Sequence, residues 1–558
     1  MKKLLSLLII FALVTTFFAC SDDEPANLDA PSITAPTAAD VQVGTTATLD
    51  FAYTAAAGFA SSTATATGGT VTVDTDGTDG ATSGTISVTF TAGASAAAGS
   101  VTLTVTDKEG DSNNVTSVFA VRTEVVIPNV VLSGVLTGAE DGTADNTINL
   151  TNDRIYELAG RVVVPDGKIL DIQEGTIVKG REGSGSLASA LIIARGGKIM
   201  AEGTSTKPII FTSILDNIKV GELAGTNLDA VEDTGLWGGV LVLGKATVAV
   251  PTGEAQIEGV PADIDDAKYG GGVSPVDNDN SGTLRYISIR HGGTLIGANN
   301  EINGLTLGGV GSGTTIEFIE VVGNEDDGIE WFGGSVNVTN ALVWAQKDDG
   351  FDIDQAYKGT IDNIIYIAGP ESDHGMEIDG PESSVNGGFT IQNGSFKGLV
   401  GEYADFRDKA QGTVKDLYFF NYLKSSDLEL DADGTDASAS TKNSDNPGVS
   451  DNFAGAGAGF TGALVITGLE FNSTVTDDAG AQTLGAIFAD KWSKSPNTYT
   501  LGVDTRTDQN AIDQAAANKV TFLANNSMVT TATKTKGADK TKFTGWTLAD
   551  AKGKLADF

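Results

Sequence analysis

Three segments of the chain repeat one short pattern of acidic residues, a glycine and alternating apolar residues. They read Glu-Asp-Asp-Gly-Ile-Glu-Trp-Phe at 325–332, Asp-Asp-Gly-Phe-Asp-Ile-Asp at 348–354 and Asp-His-Gly-Met-Glu-Ile-Asp at 373–379, with a less acidic copy at 301–307. The glycines of the acidic copies, Gly328, Gly350 and Gly375, are 22 and 25 residues apart. Self-similarity at this period is typical of a solenoid, in which each repeat forms one coil stacked on the coil before it.

The residues after each repeated glycine alternate between apolar and polar, which predicts β-strands rather than helices. Stacked coils place equivalent residues about 4.8 Å apart. Ile329, Phe351 and Met376 should then point inward. The same register predicts an outward column of carboxylates that repel one another unless something compensates them. Its expected members are Glu330, Asp352 and Glu377, continued by Asp354 and Asp379.

A second column of polar residues supports the same repeat. Asn340, Asn363, Asn393 and Asp416 each precede a strand-like run, at spacings of 23, 30 and 23 residues. Stacked asparagines hold β-coils in register by bonding to one another. The longer spacing implies an insertion in the coil that contains His374.

Residues 28–122 have a different pattern, with short alternating runs rich in Ala, Thr and Val between acidic or glycine turns. This pattern predicts a β-sandwich and resembles bacterial Ig-like and PKD-type modules. No cluster of titratable residues in this region suggests chemistry. We therefore expect it to act as a spacer.

The acidic repeats and the asparagine column resemble the right-handed parallel β-helix of pectin-active enzymes and of many bacterial surface proteins. The expected fold class is all-β, with an Ig-like sandwich, a right-handed parallel β-helix and a C-terminal cap. The expected domains are a lipoprotein signal peptide at 1–19, an acidic tether at 20–27, the sandwich at 28–122, a linker and N-terminal cap at 123–149, the β-helix at 150–425, and a loop excursion with the C-terminal cap at 426–558.

Composition narrows the possible partners. The chain has a formal net charge of −38 and 7% aromatic residues. Nucleic acids and anionic bilayers are poor partners for such a chain, because their phosphates would be repelled. Cations, neutral sugars and basic surfaces remain.

The N-terminus reads as a secretory signal, with two lysines followed by a short apolar run. It ends at Cys20, which is the single cysteine of the chain, so no intramolecular disulfide can form. The segment before Cys20 resembles a bacterial lipobox, which implies a diacylglycerol anchor on this thiol. The next residues resemble the acidic signal that sends Bacteroidota lipoproteins to the cell surface: Ser21, Asp22, Asp23 and Glu24.

The acidic repeats contain eleven carboxylates in three copies. Oxygen ligands at this density favour a hard cation such as Ca²⁺, although a solvated acidic face has the same composition. A separate candidate is the Asp277-Asn-Asp-Asn-Ser-Gly282 segment, which matches the first half of a calcium loop through Asp277 and Asp279. Its twelfth position is Ser288 instead of the usual glutamate, and an acidic turn is therefore the preferred interpretation.

The same repeats resemble, in order and approximate spacing, the four signature motifs of polygalacturonases, which are inverting β-helix hydrolases. That resemblance implies Asp349 as general acid, Asp326 and Asp348 as the residues that position water, and His374 as the residue that tunes the acid. It further implies that Arg407 and Lys409 hold a sugar carboxylate. The sequence departs from the motifs at Asp373 and Glu325, which stand in place of a glycine and a threonine.

Trp331 and Phe332 offer an aromatic platform beside the acids, because one of two adjacent strand residues faces outward. Exposed aromatic rings beside polar groups suit sugar stacking. Parity with Ile353 and Ile378 places Trp331 in the core and Phe332 outside. Both remain candidate sugar contacts.

Two further segments, Trp-Gly-Gly-Val-Leu-Val-Leu-Gly-Lys-Ala at 237–246 and Leu-Arg-Tyr-Ile-Ser-Ile-Arg-His-Gly-Gly at 284–293, resemble uncharacterised Bacteroidota surface lipoproteins. We therefore expect a surface-exposed, outer-membrane lipoprotein that binds carbohydrate or acts as an adhesin, with a glycan partner and Ca²⁺ on the acidic column. The alternatives are an inverting polysaccharide hydrolase, a polysaccharide lyase and a purely structural surface protein.

Overall fold

A computed structural model describes most of the chain as two compact units, Met1–Val126 and Ile127–Phe558. The described residues are 28–123, 127–143, 145–257, 265–295, 302–407, 410–431, 453, 462–472, 482–494, 497–500 and 509–558. Cys20, the acidic tether and Lys409 lie outside them. Within the described ranges, no helix is long and apolar enough to cross a membrane.

The N-terminal unit is a sandwich of two four-stranded sheets, ordered β1-β3-β6-β5 and β2-β8-β7-β4. Alternating residues of both sheets, such as Phe51, Phe90 and Leu103, are fully buried between them. The strands are β1 Ser32–Thr34, β2 Val41–Gln42, β3 Thr46–Thr54, β4 Phe59–Thr67, β5 Gly69–Thr75, β6 Ser83–Ala92, β7 Ala97–Asp107 and β8 Ser112–Arg122.

The second unit is a right-handed parallel β-helix, which confirms the predicted fold class. Its first half comprises β9 Val130–Val135, β10 Thr147–Leu150, β11 Ile155–Val164, β12 Ile169–Ile172, β13 Ile177–Gly180, β14 Ala190–Ile193, β15 Lys198–Glu202, β16 Ile209–Ser213, β17 Val240–Leu243, a hairpin of β18 Ala255–Gln256 and β19 Lys268–Tyr269, β20 Gly282–Arg290, β21 Leu305–Gly308 and β22 Thr315–Val322.

The second half of the solenoid contains the acidic repeats. It comprises β23 Ile329–Phe332, β24 Val338–Trp344, β25 Phe351–Asp354, β26 Thr360–Ile367, β27 Met376–Ile378, β28 Phe389–Lys397, β29 Ala404–Arg407, β30 Gly412–Lys415, β31 Tyr418–Phe420, β32 Leu428–Asp431, β33 Leu464–Thr467, β34 Glu470–Asn472, β35 Phe488–Lys494, β36 Asn497–Thr500 and β37 Ser527–Val529. The described part of this region also contains three α-helices: α1 Leu484–Ile487 before β35, α2 Gln509–Asn525 before β37, and α3 Leu548–Ala551 after β37.

The parallel ladder is longer than the 150–425 expected from the repeat. Strand β9 already pairs with β11, and β10 pairs with β12. At the other end, β32 pairs with β35 and β34 pairs with β37. The sequence period does not reveal these strands, because the terminal coils lack the repeated glycine and long insertions separate their strands.

The repeated glycine is explained by close approach between coils. A Cβ on Gly328 would lie 2.3 Å from the Val343 side chain and 2.7 Å from the Gly350 carbonyl oxygen. A Cβ on Gly350 would meet Tyr366 and the Gly375 carbonyl oxygen at similar distances. Real Cβ atoms do not tolerate such contacts, so the coils that carry Gly328 and Gly350 require a glycine at this position.

The polar column forms a row of residues in the left-handed backbone conformation. Asn340, Asn363, Asn393 and Asp416 have φ between 57 and 59°. Asn and Asp tolerate this conformation better than most residues. Asn363 Nδ2 donates a 2.6 Å hydrogen bond to Asn340 Oδ1, as the stacking argument predicts.

The C-terminal strap, residues 530–558, does more than cover the last coil. It returns along one side of the solenoid, where Thr535 and Lys536 bond to Glu470 and Asp539 N donates to Asn363 Oδ1 at 2.6 Å. Farther along, Trp546 packs edge-on against Tyr286 at 5.4 Å. The strap therefore joins coils that are distant in sequence.

The far end of the strap is anchored on one fully buried carboxylate. Glu320 accepts hydrogen bonds from the backbone N–H groups of Leu548 and Ala549, each at 2.9 Å, and from Ser288 Oγ at 2.5 Å. Arg290, which is 1% exposed, donates to Ser288 Oγ from the opposite side. The carboxylate thus satisfies the otherwise unpaired N–H groups at the start of α3.

We predict that Glu320→Ala releases the strap and lowers the free energy of unfolding by about 3 kcal/mol or more, because truncation leaves the buried charge of Arg290 without its carboxylate partner and two buried N–H groups without an acceptor. Denaturant unfolding and limited proteolysis at the strap lysines measure the two effects. Glu317→Gln is the matched control on the same strand, since Glu317 forms a half-exposed pair with Arg285 and should contribute about 1 kcal/mol or less. Equal stability of Glu320→Ala and the control would contradict the anchoring role.

Candidate functional site

The acidic column exists and is longer than the repeat predicts. Strand register aligns side chains from six successive coils at one position: Thr306, Glu330, Asp352, Glu377, Asp405 and Glu429. Ile329, Phe351 and Met376 point into the core, with 0% exposure. Asp405 and Glu429 were not predicted from the sequence, because neither follows an Asp-Gly pair. The alternation of apolar and polar residues along β29 and β32 could have identified them.

One group of acids in this region is buried, and no lysine, arginine or histidine among the described residues forms an ion pair with it. Asp327, Glu330 and Asp352 can place one carboxylate oxygen each within 4.8 Å of the others. Burial, followed by the charges of Asp354 and Asp326, raises the pKa of Glu330 well above its usual value. Burial and the same crowding raise the pKa values of Asp327 and Asp352 in the same way. These three groups require protons or a cation.

Asn303 completes this group from the preceding coil. It is 7% exposed, and its Nδ2 donates to Glu330 Oε2. Within the described structure its Oδ1 accepts no hydrogen bond, and neither does the shielded Oδ1 of Asp352. Two oxygen acceptors without donors therefore lie beside three crowded carboxyl groups.

A neighbouring group of acids carries its own counter-charges. Asp349 Oδ1 accepts hydrogen bonds from His374 Nδ1 at 2.8 Å and from the His374 backbone N–H at 2.7 Å. Arg407 pairs with Glu377 and, through Nε at 2.7 Å, with Asp405. This group is therefore held together by two cationic side chains.

These contacts shift the pKa values of Asp349, His374 and Glu377 in different directions. Burial alone would raise the pKa of Asp349, but the bond and charge of His374 lower it. Burial alone would lower the pKa of His374, but Asp349 raises it to about 9. Burial and the charge of Asp349 raise the pKa of Glu377 to about 11. These contacts favour the ionised form of Asp349 and the charged form of His374, whereas burial and the charge of Asp349 favour a proton on Glu377, an effect that Arg407 opposes.

A third group lies nearer the surface. Asp326, Asp327 and Asp348 bring carboxylate oxygens within 4.8 Å. Burial and the charges of Asp349 and Asp373 raise the pKa of Asp348 to about 6. A fourth group that meets the same distance criterion among the described residues is Glu402, Asp427 and Glu429.

The structure brings most of the polygalacturonase-like residues together, although two of them already have partners within the protein. Asp349 is 4% exposed and accepts two hydrogen bonds from His374, which leaves it poorly placed to act as the general acid. Arg407 is engaged by Glu377 and Asp405, which leaves it poorly suited to hold a sugar carboxylate. Asp348 is exposed, and its pKa of about 6 lies near the range that proton donation at neutral pH requires.

A cleft of about 560 Å³ opens beside the buried group, between the acidic strands and the β18–β19 hairpin. Phe332 and Tyr269 contribute aromatic rings whose centroids are 5.4 Å apart. Neither lysine nor arginine is among the described residues that line the cleft. Its six carboxylates are Glu254, Asp326, Asp327, Glu330, Asp354 and Glu382, of which Glu254 pairs with Arg195 at 2.9 Å.

The two aromatic candidates differ in their exposure to solvent. Trp331 is 0% exposed and packs on Phe351 and Tyr357 inside the solenoid, so the prediction that it contacts sugar is wrong. Phe332 is half-buried and lines the cleft, as strand parity indicated. Tyr269 and Glu382 were missed, because insertions bring both of them to the cleft from outside the repeats.

The separate calcium loop does not form as expected. Asp277 Oδ1 accepts hydrogen bonds from Thr247 N at 2.9 Å and from Thr247 Oγ1 at 2.6 Å, and Asp279 Oδ2 accepts one from Lys245 N at 2.9 Å. Neither belongs to an acidic group that could share an ion within the described parts of the chain. These two aspartates are turn acceptors.

The remaining predicted metal ligands lie at the edges of the column. Asp354 pairs in register with Phe332 and lines the cleft, where its charge raises the pKa values of Glu330 and Asp352. Asp379 follows β27, and its backbone N–H donates to Ile353 O at 2.8 Å. Its charge contributes to the raised pKa of Glu377. Neither belongs to the three-acid groups.

The solved structures that resemble this chain include an exopolygalacturonase and an α-1,3-glucanase. The Family 28 exopolygalacturonase of Yersinia enterocolitica is 10% identical and covers 84% of this chain and 90% of its own, with a TM-score of 0.23. The catalytic unit of the GH87 α-1,3-glucanase of Streptomyces thermodiastaticus is 9% identical and covers 79% and 87%, with a TM-score of 0.24. Scores this low carry no argument about the site.

No curated protein sequence matches the chain significantly. The family model of the pectate-lyase-like β-helix domain matches residues 142–493, which is more than half of the chain. The matched range contains every coil of the acidic column from Thr306 to Glu429 and the cleft beside it. The chain therefore belongs to the family of proteins with a pectate-lyase-like β-helix domain.

Proposed function

We propose that this protein is a carbohydrate-binding surface protein that holds a polysaccharide in the acidic cleft and a divalent cation beside it. The observation that carries the proposal is the cleft itself, in which six carboxylates and two aromatic rings are combined without a basic side chain among the described lining residues. Aromatic faces stack on sugar rings, and polar groups beside them fix the orientation of the ligand.

The cation is assigned to Asp327, Glu330 and Asp352. Carboxylate oxygens are among the ligands that Ca²⁺ prefers. The Asp349 group is a poorer choice, since His374 and Arg407 already neutralise it and would repel an added ion. Glu377 therefore leaves the set of expected metal ligands.

The cellular location of the protein is a separate part of the proposal and rests on sequence alone. Cys20 follows a short apolar signal and precedes Ser21, Asp22, Asp23 and Glu24. A lipid on Cys20 would anchor the chain in the outer membrane, and the acidic residues would direct it to the cell surface. The N-terminal sandwich then acts as a spacer between the lipid and the solenoid.

Polysaccharide hydrolysis is the second candidate function. Its support is the contrast between two adjacent acids, since the pKa of Asp348 is raised to about 6 while that of Asp349 is lowered. Pairs of carboxyl groups with separated pKa values perform acid and base roles in glycosidases. In this candidate, Asp348 takes the acid role that the resemblance gave to Asp349.

We predict that Ca²⁺ raises the melting temperature of the chain and that chelator reverses the effect. A ligand that binds only the folded state adds roughly 2.7 kcal/mol at a hundredfold excess over its Kd. The triple variant Asp327→Asn, Glu330→Gln, Asp352→Asn should be at least as stable as wild type in chelator, because like-charge repulsion is removed. It should not respond to Ca²⁺ in differential scanning calorimetry.

Glu232→Gln provides the control for general screening of negative charge, since Glu232 is exposed and lies outside the acidic groups. This variant should keep the full response to Ca²⁺. Identical melting of the wild type in Ca²⁺ and in chelator would rule out the assigned cation.

Binding and hydrolysis predict different results with polysaccharides. We expect a glycan array to identify a retained polysaccharide and reducing-end assays on it to show no new ends. Asp348→Asn should then bind as well as wild type. Release of oligosaccharides by wild type and not by Asp348→Asn would establish the second candidate instead.

We predict that Cys20 carries the membrane anchor. Metabolic labelling with a palmitate analogue should mark the wild type and leave Cys20→Ser unlabelled. Replacement of Asp22, Asp23 and Glu24 by alanine should protect the protein from protease added to intact cells. Equal labelling of wild type and Cys20→Ser would remove the lipoprotein assignment.

A further inference from the structure

We propose that the acidic cleft selects a polysaccharide bearing protonated amino groups, such as a deacetylated hexosamine polymer, over a polymer of uronic acids. This inference rests on the proposed glycan binding and adds the chemical class of the glycan. It departs from the polygalacturonase resemblance, which implies a substrate that carries carboxylates.

The first support is the charge of the cleft. A uronate would bring another carboxylate next to six that are already present, and no lysine or arginine lies among the described lining residues to pair with it. Like charges at such distances repel, whereas an ammonium group is attracted by each of the acids. A divalent ion held by Asp327, Glu330 and Asp352 would still leave four acids in the lining: Asp326, Asp354, Glu382 and Glu254, the last of which pairs with Arg195.

The basic side chains of the neighbouring coils are already engaged by other acids. Lys347 Nζ lies 3.1 Å from Glu325 and 3.3 Å from Glu371. Arg407 is held between Glu377 and Asp405. Recruiting either base for a uronate would require breaking ion pairs within the protein.

The second, independent support is the direction of the hydrogen bonds around the cleft. Gln355 Nε2 donates to Glu382 Oε1 at 2.9 Å and lies 3.1 Å from the Tyr269 hydroxyl, so this amide group is used inside the protein. Asn303 Nδ2 is likewise used by Glu330.

The side chain of Asn303 presents a buried hydrogen-bond acceptor without a donor. It is 7% exposed, it lines the cleft, and its Oδ1 accepts no hydrogen bond within the described structure. A buried acceptor without a donor is costly unless a ligand supplies one. Donors are therefore what the cleft lacks, and an amino sugar offers N–H and O–H donors together with positive charge.

The aromatic pair fits the same ligand. Phe332 and Tyr269 lie beside the carboxylates rather than apart from them. A sugar ring can pack on an aromatic surface while its ammonium substituent reaches the neighbouring acids, and the ammonium group is itself attracted to aromatic faces. The cleft thus combines the two kinds of contact that a hexosamine offers.

The test compares three oligosaccharide series of equal length by isothermal titration calorimetry with the full chain, in chelator and in Ca²⁺. The probes are glucosamine oligomers, their fully N-acetylated forms and oligogalacturonates. We expect the glucosamine oligomers to bind at least tenfold more tightly than the other two. Their affinity should fall as salt is added, because ionic attraction is screened.

The variants Asp354→Asn and Glu382→Gln, each within the cleft, should each weaken binding of glucosamine oligomers several-fold, while the exposed control Glu232→Gln should leave it unchanged. Polylysine of matched charge serves as a polycation without sugar rings, and we expect it to bind more weakly than the glucosamine oligomers. If polylysine binds equally well and the cleft variants do not weaken the glucosamine oligomers, selection in the cleft is disproved.

Two results would overturn the inference in distinguishable ways. Tight binding of oligogalacturonate, with or without Ca²⁺, would contradict the chemical class and leave the proposed carbohydrate binding intact. Absence of binding to all three series and to a broad glycan array would contradict both.

Discussion

Repulsion between carboxylates stacked in register is the constraint on which the rest of this structure depends. A parallel β-helix places equivalent residues about 4.8 Å apart, and the same position in successive coils carries Glu330, Asp352, Glu377, Asp405 and Glu429. The inward neighbours of these acids form a continuous apolar core, so the register cannot shift by one residue without exposing that core. The protein must therefore neutralise the column rather than avoid it.

The later and earlier coils of the column differ in how their charge is compensated. In the later coils, Arg407 and His374 supply positive charge and leave a compact, self-compensated group. In the earlier coils, no lysine, arginine or histidine among the described residues pairs with Glu330 or Asp352, which lie beside Asp327 and Asn303. The cleft opens beside this uncompensated end. Its position there connects the fold to the proposed ligands, because both a divalent cation and an ammonium group supply the charge that the protein does not.

The sequence predicted most of the coil architecture, because the period and the alternation of β-strands are local signals. The inward position of Ile329, the stacking of Asn363 on Asn340 and the parity of Phe332 all followed from spacing. Contacts across long separations did not. Glu320 meets Leu548, which is 228 residues away, and no local pattern indicates that a buried glutamate anchors the strap. The surroundings of Asp349 were missed for a related reason: its burial and its bonds to His374 come from neighbouring coils, which a motif does not describe.

The most direct test of the central constraint is the free energy of unfolding from pH 5 to pH 8, measured in chelator and in excess Ca²⁺. The column acids Glu330, Asp352 and Glu377 have pKa values raised above those of the unfolded chain. The folded state therefore binds more protons than the unfolded state in this range, and stability must fall as pH rises. The raised pKa of His374 acts in the same direction. We predict a clear decline in chelator that Ca²⁺ largely removes. Stability that is constant or rising with pH, and equal in both conditions, would contradict the account.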